Sequence, residues 1–240
     1  MTGLADTFQP STFVDAFRFI GDNGWLIWHK TVEQLVLSGS AMGVAIGIAI
    51  PLGVWLGHVH RGSFAAINVS NVGRALPSLA VIAIALPFLG VGFWDVLLAL
   101  VVLAVPLMLT NAYVAVDEVD RDVVEAARGM GMRGRDILLR VELPLALPLL
   151  FAGIRTAAVY VVSTATIAAI AGGGGLGDII VNQASYRLEG VIGAAICVAA
   201  LAILADFLLG IVQYLVSPRG LRRRPAFEPD LAKAIPLPGP

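Results

Sequence analysis

Charged residues are scarce in this chain. Only 14% of its 240 residues are Asp, Glu, Lys or Arg, whereas soluble domains average about 25%. A soluble protein of this length needs charged and polar side chains over most of its surface, so the composition excludes a typical soluble enzyme. The hydrophobic share of 58% and the mean hydropathy of +0.86 predict a membrane protein instead.

Cysteine, histidine and lysine are also rare, and each scarcity excludes a class of site. A single cysteine, Cys197, excludes a disulfide framework and a cysteine-based zinc site. Three histidines leave little for a metal or acid–base centre. Neither Lys30 nor Lys233 stands in a P-loop pattern, so the chain is not itself a P-loop ATPase. We expect no cofactor in this chain and no covalent chemistry. The net charge of −1 gives no basic field for nucleic acid.

Long apolar runs are what the chain has in excess. A membrane-spanning helix needs about 20 mostly apolar residues, and five stretches meet this requirement. No run alternates with a period of two, so we predict an all-α polytopic membrane protein. The predicted spans are Gln34–Leu56, Phe64–Leu89, Trp94–Val116, Leu145–Ala171 and Val191–Val216.

The two ends of the chain differ from the 31–216 membrane domain between them. Residues 1–30 carry apolar residues at helical spacing interrupted by charges, which is typical of a helix lying at the membrane interface, with Trp25 and Trp28 at headgroup depth. Residues 217–240 hold six of the 13 prolines and predict a disordered tail.

The distribution of basic residues predicts the orientation. Three of them fall on the side of the N-terminus: Arg18, Lys30 and Arg187. Because basic loops remain in the cytoplasm, we expect the N-terminus outside and the C-terminus inside a cell (cytoplasmic or inner) membrane. The eleven on the predicted cytoplasmic side are Arg61, Arg121, Arg128, Arg133, Arg135, Arg140, Arg219, Arg222, Arg223, Arg224 and Lys233.

The longest charged stretch, residues 117–144, lies between the third and fourth predicted spans; we call it the charged loop. Gly129 and Gly131 can end a first short helix, and Pro144 stands where a new helix can begin. The carboxylate of Glu125 can accept hydrogen bonds, and the small side chains of Ala126 and Ala127 permit close approach by another surface. From these residues alone the loop is either an amphipathic connector bound to lipid headgroups or a docking surface.

The spacing within this loop resembles the EAA loop of binding-protein-dependent ABC importer permeases. The matching pattern is Glu125-Ala126-Ala127, then Gly131, then Val141-Glu142-Leu143-Pro144, with Val141 where the family usually has Ile. The resemblance implies the fold of a type I ABC importer permease. It also implies that the loop couples to a separate ATP-binding subunit, which carries ATP-Mg, and that Glu125, Ala126, Ala127, Gly131, Leu143 and Pro144 are the coupling positions.

Further stretches are similar to permeases of osmoprotectant uptake systems for glycine betaine, choline or carnitine. They are residues 75–80, 106–113, 148–155 and 174–178. The resemblance implies alternating access, an external solute-binding protein and a second permease copy or related permease. The alternatives are a permease for amino acids or another small solute, or a passive channel or assembly protein.

The glycines from 172 to 177 formally match a dinucleotide-binding pattern, but that motif needs a preceding strand. A flexible outer turn is the simplest interpretation. The family resemblance adds a second one, an outer gate or a contact with the binding protein, formed by Gly174, Gly175, Gly177 and Asp178.

Three charges fall inside predicted spans: Arg74, Arg155 and Asp206. An unpaired ionised side chain near mid-bilayer is costly. Counted along the helices at 1.5 Å per residue, all three lie at a similar depth. We therefore predict that Asp206 pairs with Arg155 or Arg74, as a structural ion pair or as part of the transport pathway.

Small residues recur every four positions in the first predicted span. Gly39, Gly43 and Gly47 form one such series, and Gly53 and Gly57 another. Such faces let helices approach closely, either within the chain or between two permeases.

Overall fold

The computed structural model describes residues 10–60 and 75–217, together with Asn68, Asn71 and Gly73. Within these residues all regular structure is helical, as predicted. The helices, numbered in chain order, are α1 Pro10–Asp22, α2 Gly24–His58, α3 Ser78–Leu89, α4 Phe93–Asp117, α5 Arg121–Gly129, α6 Gly134–Ile137, α7 Leu143–Ile167, α8 Gly177–Val181 and α9 Gln183–Val216. A π-helical turn, Leu138–Glu142, joins α6 to α7, and a 3₁₀ turn, Ala168–Ala171, follows α7.

Four described helical stretches are long and apolar enough to cross a membrane: Gly24–His58, Phe93–Asp117, Gly134–Ala171 and Gln183–Val216. They correspond to the first, third, fourth and fifth predicted spans. The first spanning helix, α2, begins at Gly24 rather than at Gln34. Hydropathy alone ends the span at the polar residues Lys30 and Glu33, but these side chains have partners in the fold, and the helix continues through them.

The second predicted span is described only in its last part. Pro77 has an extended backbone, with φ −64° and ψ 123°, and α3 begins directly after it as an apolar helix of 12 residues. Residues 64–67, Arg74 and most of their neighbours lie outside the described residues. The predicted tail lies outside them as well, from residue 218 onward.

Helices α2 and α4 run parallel and pack closely at the end where the charged loop lies. At Gly53 an added Cβ would lie 2.6 Å from Ala112 Cβ, and at Gly57 it would lie 2.8 Å from Val116 Cβ. These glycines therefore serve packing within the chain. The other series behaves differently, since a Cβ at Gly39, Gly43 or Gly47 would meet no atom of the described residues within 4 Å.

Helix α7 returns antiparallel between α4 and α9, because α4 ends and α7 begins at the charged loop. Helix α1 packs on the first part of α9, where the rings of Phe19 and Tyr186 meet edge to face with centroids 6.4 Å apart. Trp25 and Trp28 lie at the start of α2, both exposed. The interfacial role of residues 1–30 stays a prediction.

Gly53→Ala tests the close approach of α2 and α4. The added methyl group overlaps Ala112 and the Leu109 carbonyl, which forces the helices apart and costs about 1–3 kcal/mol. We expect a lower melting temperature for the purified chain in detergent. Gly43→Ala is the matched control, because it adds the same methyl group to the same helix where no described residue lies within 4 Å. Equal melting temperatures for the two variants would contradict the packing described.

Candidate functional site

The first short helix of the charged loop, α5, is fixed to the spans by one face and leaves the other free. The Asp120 side chain caps it by accepting a hydrogen bond from the Asp122 backbone N–H at 2.9 Å. Val124 and Ala127 are buried, at 7% and 2% exposure. They pack in a cluster with Ala115 and Val116 of α4, Ile137 of α6, and Ala146, Leu150 and Ile154 of α7.

The coupling positions predicted from the sequence divide between these two faces. Glu125 and Ala126 are exposed, whereas Ala127 is buried in the cluster. Glu125 lines a shallow groove of about 180 Å³ beside Arg121 and Arg128. Helix α5 therefore exposes the carboxylate of Glu125 and the methyl group of Ala126, while its buried face packs against α4 and α7.

Gly131 makes the turn that ends α5. Its φ is +81°, in the left-handed region that disfavours other residues. The Met132 N–H donates to the Ala127 carbonyl at 3.2 Å, so the chain folds back on α5 directly after this glycine. A side chain at this position would have space but a strained backbone.

The second half of the charged loop is less separate than the sequence predicted. Helix α6 has only four residues and continues through the π-helical turn into α7 without a break. Leu143 and Pro144 therefore form the first turn of a span, partly buried, rather than a separate surface. A movement of the loop would be passed to α7 directly through this continuous helix.

The sequence did not indicate one contact that joins the charged loop to α2. Glu142 is 2% exposed, and its carboxylate accepts a hydrogen bond from His58 Nδ1 at the end of α2. The other ring nitrogen faces α6, because a Cβ built on Gly134 would lie 3.5 Å from His58 Nε2. A second, more exposed pair, His60 with Asp117 at 2.8 Å, joins the end of α2 to the end of α4.

At the opposite end of the spans, one turn of α2 holds residues 172–178, which we call the glycine loop. Lys30 Nζ donates to Asp178 at 2.7 Å and to Glu33 at 2.9 Å. Glu33 also accepts from the backbone N–H of Gly175 at 2.9 Å. Two of the predicted gate positions, Gly175 and Asp178, are thus hydrogen-bonded to side chains of α2.

The glycines of this loop are required by close contacts and by the backbone. Gly174 and Gly175 have φ values of +76° and +83°. At Gly177 a Cβ would lie 2.8 Å from Ala169 Cβ. Gln34 of α2 makes a further buried hydrogen bond, in which its Nε2 donates to the Val162 carbonyl of α7 at 2.9 Å. The loop is therefore held against α2 and α7.

Near the middle of the spans the structure brings Arg155 and Asp206 together. Arg155 Nε donates to Asp206 Oδ1 at 2.9 Å, and Nη2 donates to Oδ2 at 2.7 Å. Arg155 Nη1 donates to the side-chain oxygen of Gln213 at 3.1 Å, and Gln213 in turn donates to the Pro148 carbonyl at 2.8 Å. The third predicted charge, Arg74, lies outside the described residues.

Replacing His58 tests the joint between α2 and the charged loop. His58→Leu leaves the buried Glu142 carboxylate without its partner, which costs about 3–5 kcal/mol. The double variant His58→Leu/Glu142→Leu removes both polar groups, so we expect it to recover much of that loss. The measurement is thermal unfolding of the purified chain.

The matched control is His60→Leu at the neighbouring exposed pair, where we expect a loss of less than about 1 kcal/mol. A His58→Leu variant that is as stable as His60→Leu would show that the buried contact does not hold the loop.

Comparison with known proteins agrees with this arrangement. The family model described as "Binding-protein-dependent transport system inner membrane component" matches residues 49–220. A glycine betaine/carnitine/choline transport system permease protein, OpuCB of Bacillus subtilis, is 40% identical over 205 residues, which are 85% of this chain and 94% of that protein. A carnitine transport permease protein, OpuCB of Listeria monocytogenes, is 38% identical over 85% of this chain and 94% of its own length.

Two solved structures share the fold. The inward-facing MetNI methionine ABC transporter matches with a TM-score of 0.70 at 23% identity, over 81% of this chain and 97% of that chain. An amino acid ABC transporter crystallised with histidines matches with a TM-score of 0.65 at 17% identity, over 81% and 96%. The predicted all-α, type I importer permease fold is confirmed. The chain is a multi-pass membrane protein that belongs to the family of binding-protein-dependent transport system inner membrane components.

Proposed function

We propose that this chain is the membrane-spanning permease subunit of an ATP-driven importer for a small osmoprotectant such as glycine betaine, choline or carnitine. The observation that carries the proposal is the geometry of α5, which exposes Glu125 and Ala126 while Val124 and Ala127 anchor it to the spans. The named relatives, which match most of this chain, support the substrate class.

The chain supplies membrane spans and a docking surface, and the complex needs three further partners. ATP binding and hydrolysis belong to a separate ATP-binding subunit. A solute-binding protein delivers the solute from outside. A second copy of the chain, or a related permease, completes the conduit.

The proposed orientation places the charged loop in the cytoplasm and the glycine loop outside. The eleven basic residues on the charged-loop side and the three on the other side support this orientation. The N-terminus is then outside and the C-terminus inside.

Coupling follows from the contacts of the charged loop. Closure of the ATP-binding subunit moves α5, and the buried cluster carries this movement to α4 and α7. The contact between His58 and Glu142 carries it to α2. At the other end α2 holds the glycine loop through Lys30 and Glu33. A shift of α2 therefore reaches the outer gate, which is the physical basis for alternating access.

Glu125→Arg tests the coupling role. Reversal of one exposed charge on a docking surface costs about 2 kcal/mol or more of association free energy, which weakens binding by at least about thirtyfold. We expect the ATP-binding subunit to co-purify poorly and osmoprotectant uptake to fall in parallel, while the chain still inserts. Gly131→Asp should give the same loss by straining the turn.

The matched control is Glu118→Arg, which makes the same charge reversal in the same loop at an exposed position outside the motif. We expect it to retain association and uptake. If Glu125→Arg left both unchanged, a passive channel or assembly protein with a lipid-bound loop would be the better interpretation. Uptake of an amino acid in place of an osmoprotectant would favour the amino-acid importer alternative.

A further inference from the structure

Asp95 is a buried carboxyl group that takes part in none of the contacts described above. It lies in the first turn of α4, at the end of the spans that carries the glycine loop, and it is 0% exposed. Neither of its oxygens has a hydrogen-bond partner among the described residues. A buried carboxylate without a compensating charge is strongly unfavourable. As a carboxylate, this group therefore requires a positive charge beside it.

Two side chains of α2 also have buried oxygens without a partner. Ser38 is 3% exposed, and its hydroxyl contacts no donor or acceptor of the described residues. Gln34, one turn earlier, is 0% exposed. Its amide is oriented by Nε2, which donates to the Val162 carbonyl at 2.9 Å and to Thr166 Oγ1 at 3.2 Å. This leaves Oε1 as an acceptor, so every buried side-chain atom without a partner in the described part of the chain is an oxygen of these three residues.

The packing of α2 on α4 places these side chains at one level. The helices run parallel, and a Cβ at Gly53 would lie 2.6 Å from Ala112 Cβ and 2.7 Å from the Leu109 carbonyl oxygen. Both helices rise by about 1.5 Å per residue. Counting back 15 residues from Gly53 leads to Ser38, and counting back 15 from the residue after Leu109 leads to Asp95. The hydroxyl and the carboxylate therefore lie at the same height on neighbouring helices.

The faces that carry Ser38 and Asp95 also turn into the same interior. Leu37 and Ala41, on either side of Ser38 on the buried face of α2, belong to one apolar cluster with Val96, the residue after Asp95. The surroundings are thus hydrocarbon, which makes the oxygens the polar groups of this part of the core.

The glycine loop covers this level. A Cβ at Gly173 would lie 2.9 Å from Val96 Cγ2, and a Cβ at Gly175 would overlap Gln34 Oε1. The loop therefore contacts α2 at one of the three side chains and α4 directly beside Asp95.

We propose that Asp95, Ser38 and Gln34 form a buried binding site for one monovalent metal cation behind the glycine loop. Carboxylate, hydroxyl and amide oxygens are the ligands that hard cations take. The single carboxylate balances one positive charge, whereas a divalent ion would leave an uncompensated charge in an apolar core. The site does not depend on which solute the protein transports.

A cation at this position joins α2 to α4 beneath the loop. It neutralises Asp95 and gives the oxygens of α2 a shared partner, so it favours the arrangement in which the loop packs on Gln34. Loss of the ion leaves a buried carboxylate that gains stability by reaching water, which favours separation of the two helices at this end. The ion thus stabilises the closed glycine loop.

Thermal unfolding in different salts tests the site. The full-length permease is purified in detergent and measured at one pH and one ionic strength in the chloride salts of Na⁺, K⁺ and N-methylglucamine. We expect Na⁺ or K⁺ to raise the melting temperature by at least about 2 °C over N-methylglucamine, with an increase that saturates with ion concentration. Equal melting temperatures in all three salts overturn the proposal and assign a proton or water to Asp95 instead.

Three variants locate the ion. Asp95→Asn removes the charge and keeps the shape, so we expect it to abolish the difference between the salts. Ser38→Ala removes one ligand and should raise the ion concentration needed for half of the effect at least about tenfold; it decides the question if Asp95→Asn does not fold. Ser40→Ala is the matched control on the same helix, at a position that is not buried, and should respond as the unmodified chain does. A salt effect that persists unchanged in Asp95→Asn or Ser38→Ala places the ion elsewhere and overturns the site.

Discussion

The burial of Val124 and Ala127 against the ends of α4 and α7 is the interaction that fixes the charged loop to the membrane spans. A nine-residue helix has little stability by itself. Here one apolar face joins a core formed by two spans, and the Asp120 cap and the Gly131 turn set its two ends. The opposite face of α5, with Glu125 and Ala126, is then held in a fixed position at the protein surface. A surface fixed in this way can transmit force, which a mobile connector could not do.

At the other end of the spans, the glycine loop is likewise fixed by contacts with a spanning helix, α2. Residues Gly172–Gly175 of the glycine loop have no side chain to bury, so backbone contacts and charges from α2 position this part, whereas Leu176 is fully buried beside Ile27. Lys30, Glu33 and Gln34 lie within little more than one helical turn and reach Asp178, Gly175 and α7. Because α2 also ends at the charged loop through His58, one helix touches both candidate regions. This gives the protein a physical connection between its two ends.

Much of this architecture could be predicted from the sequence because membrane helices carry a strong compositional signal. Four of the predicted apolar runs correspond to helices long enough to span a membrane, and residue counts along the helices place Arg155 and Asp206 at a similar depth, where the structure pairs them. The exposure of Glu125 and the burial of Ala127 could not be predicted, because both follow from which spans the helix packs on. Gly53 and Gly43 illustrate the same limit, since both recur at a spacing of four, yet one lies against α4 and the other has no described neighbour within 4 Å.

The polar contacts between distant segments were the least predictable part. Glu142 and His58 are separated by 84 positions, and in the sequence His58 was one of two histidines at the end of a span. Lys30 and Glu33 stand just before the first predicted span, and their partners Asp178 and Gly175 are 148 and 142 residues away, respectively. Periodicity and composition describe single elements, whereas these contacts depend on how the elements are placed against each other.

The most direct test of the central claim is a cross-linking measurement at the exposed face of α5. Since Cys197 is the only cysteine, Cys197→Ser followed by Ala126→Cys gives a chain with one thiol on the proposed docking surface. In membranes that contain the ATP-binding subunit, we expect a cross-link from this thiol to that subunit. We expect no cross-link from Arg140→Cys in the same background, which places an exposed thiol elsewhere in the charged loop. Equal cross-linking from both positions, or from neither, would show that the exposed face of α5 is not the docking surface.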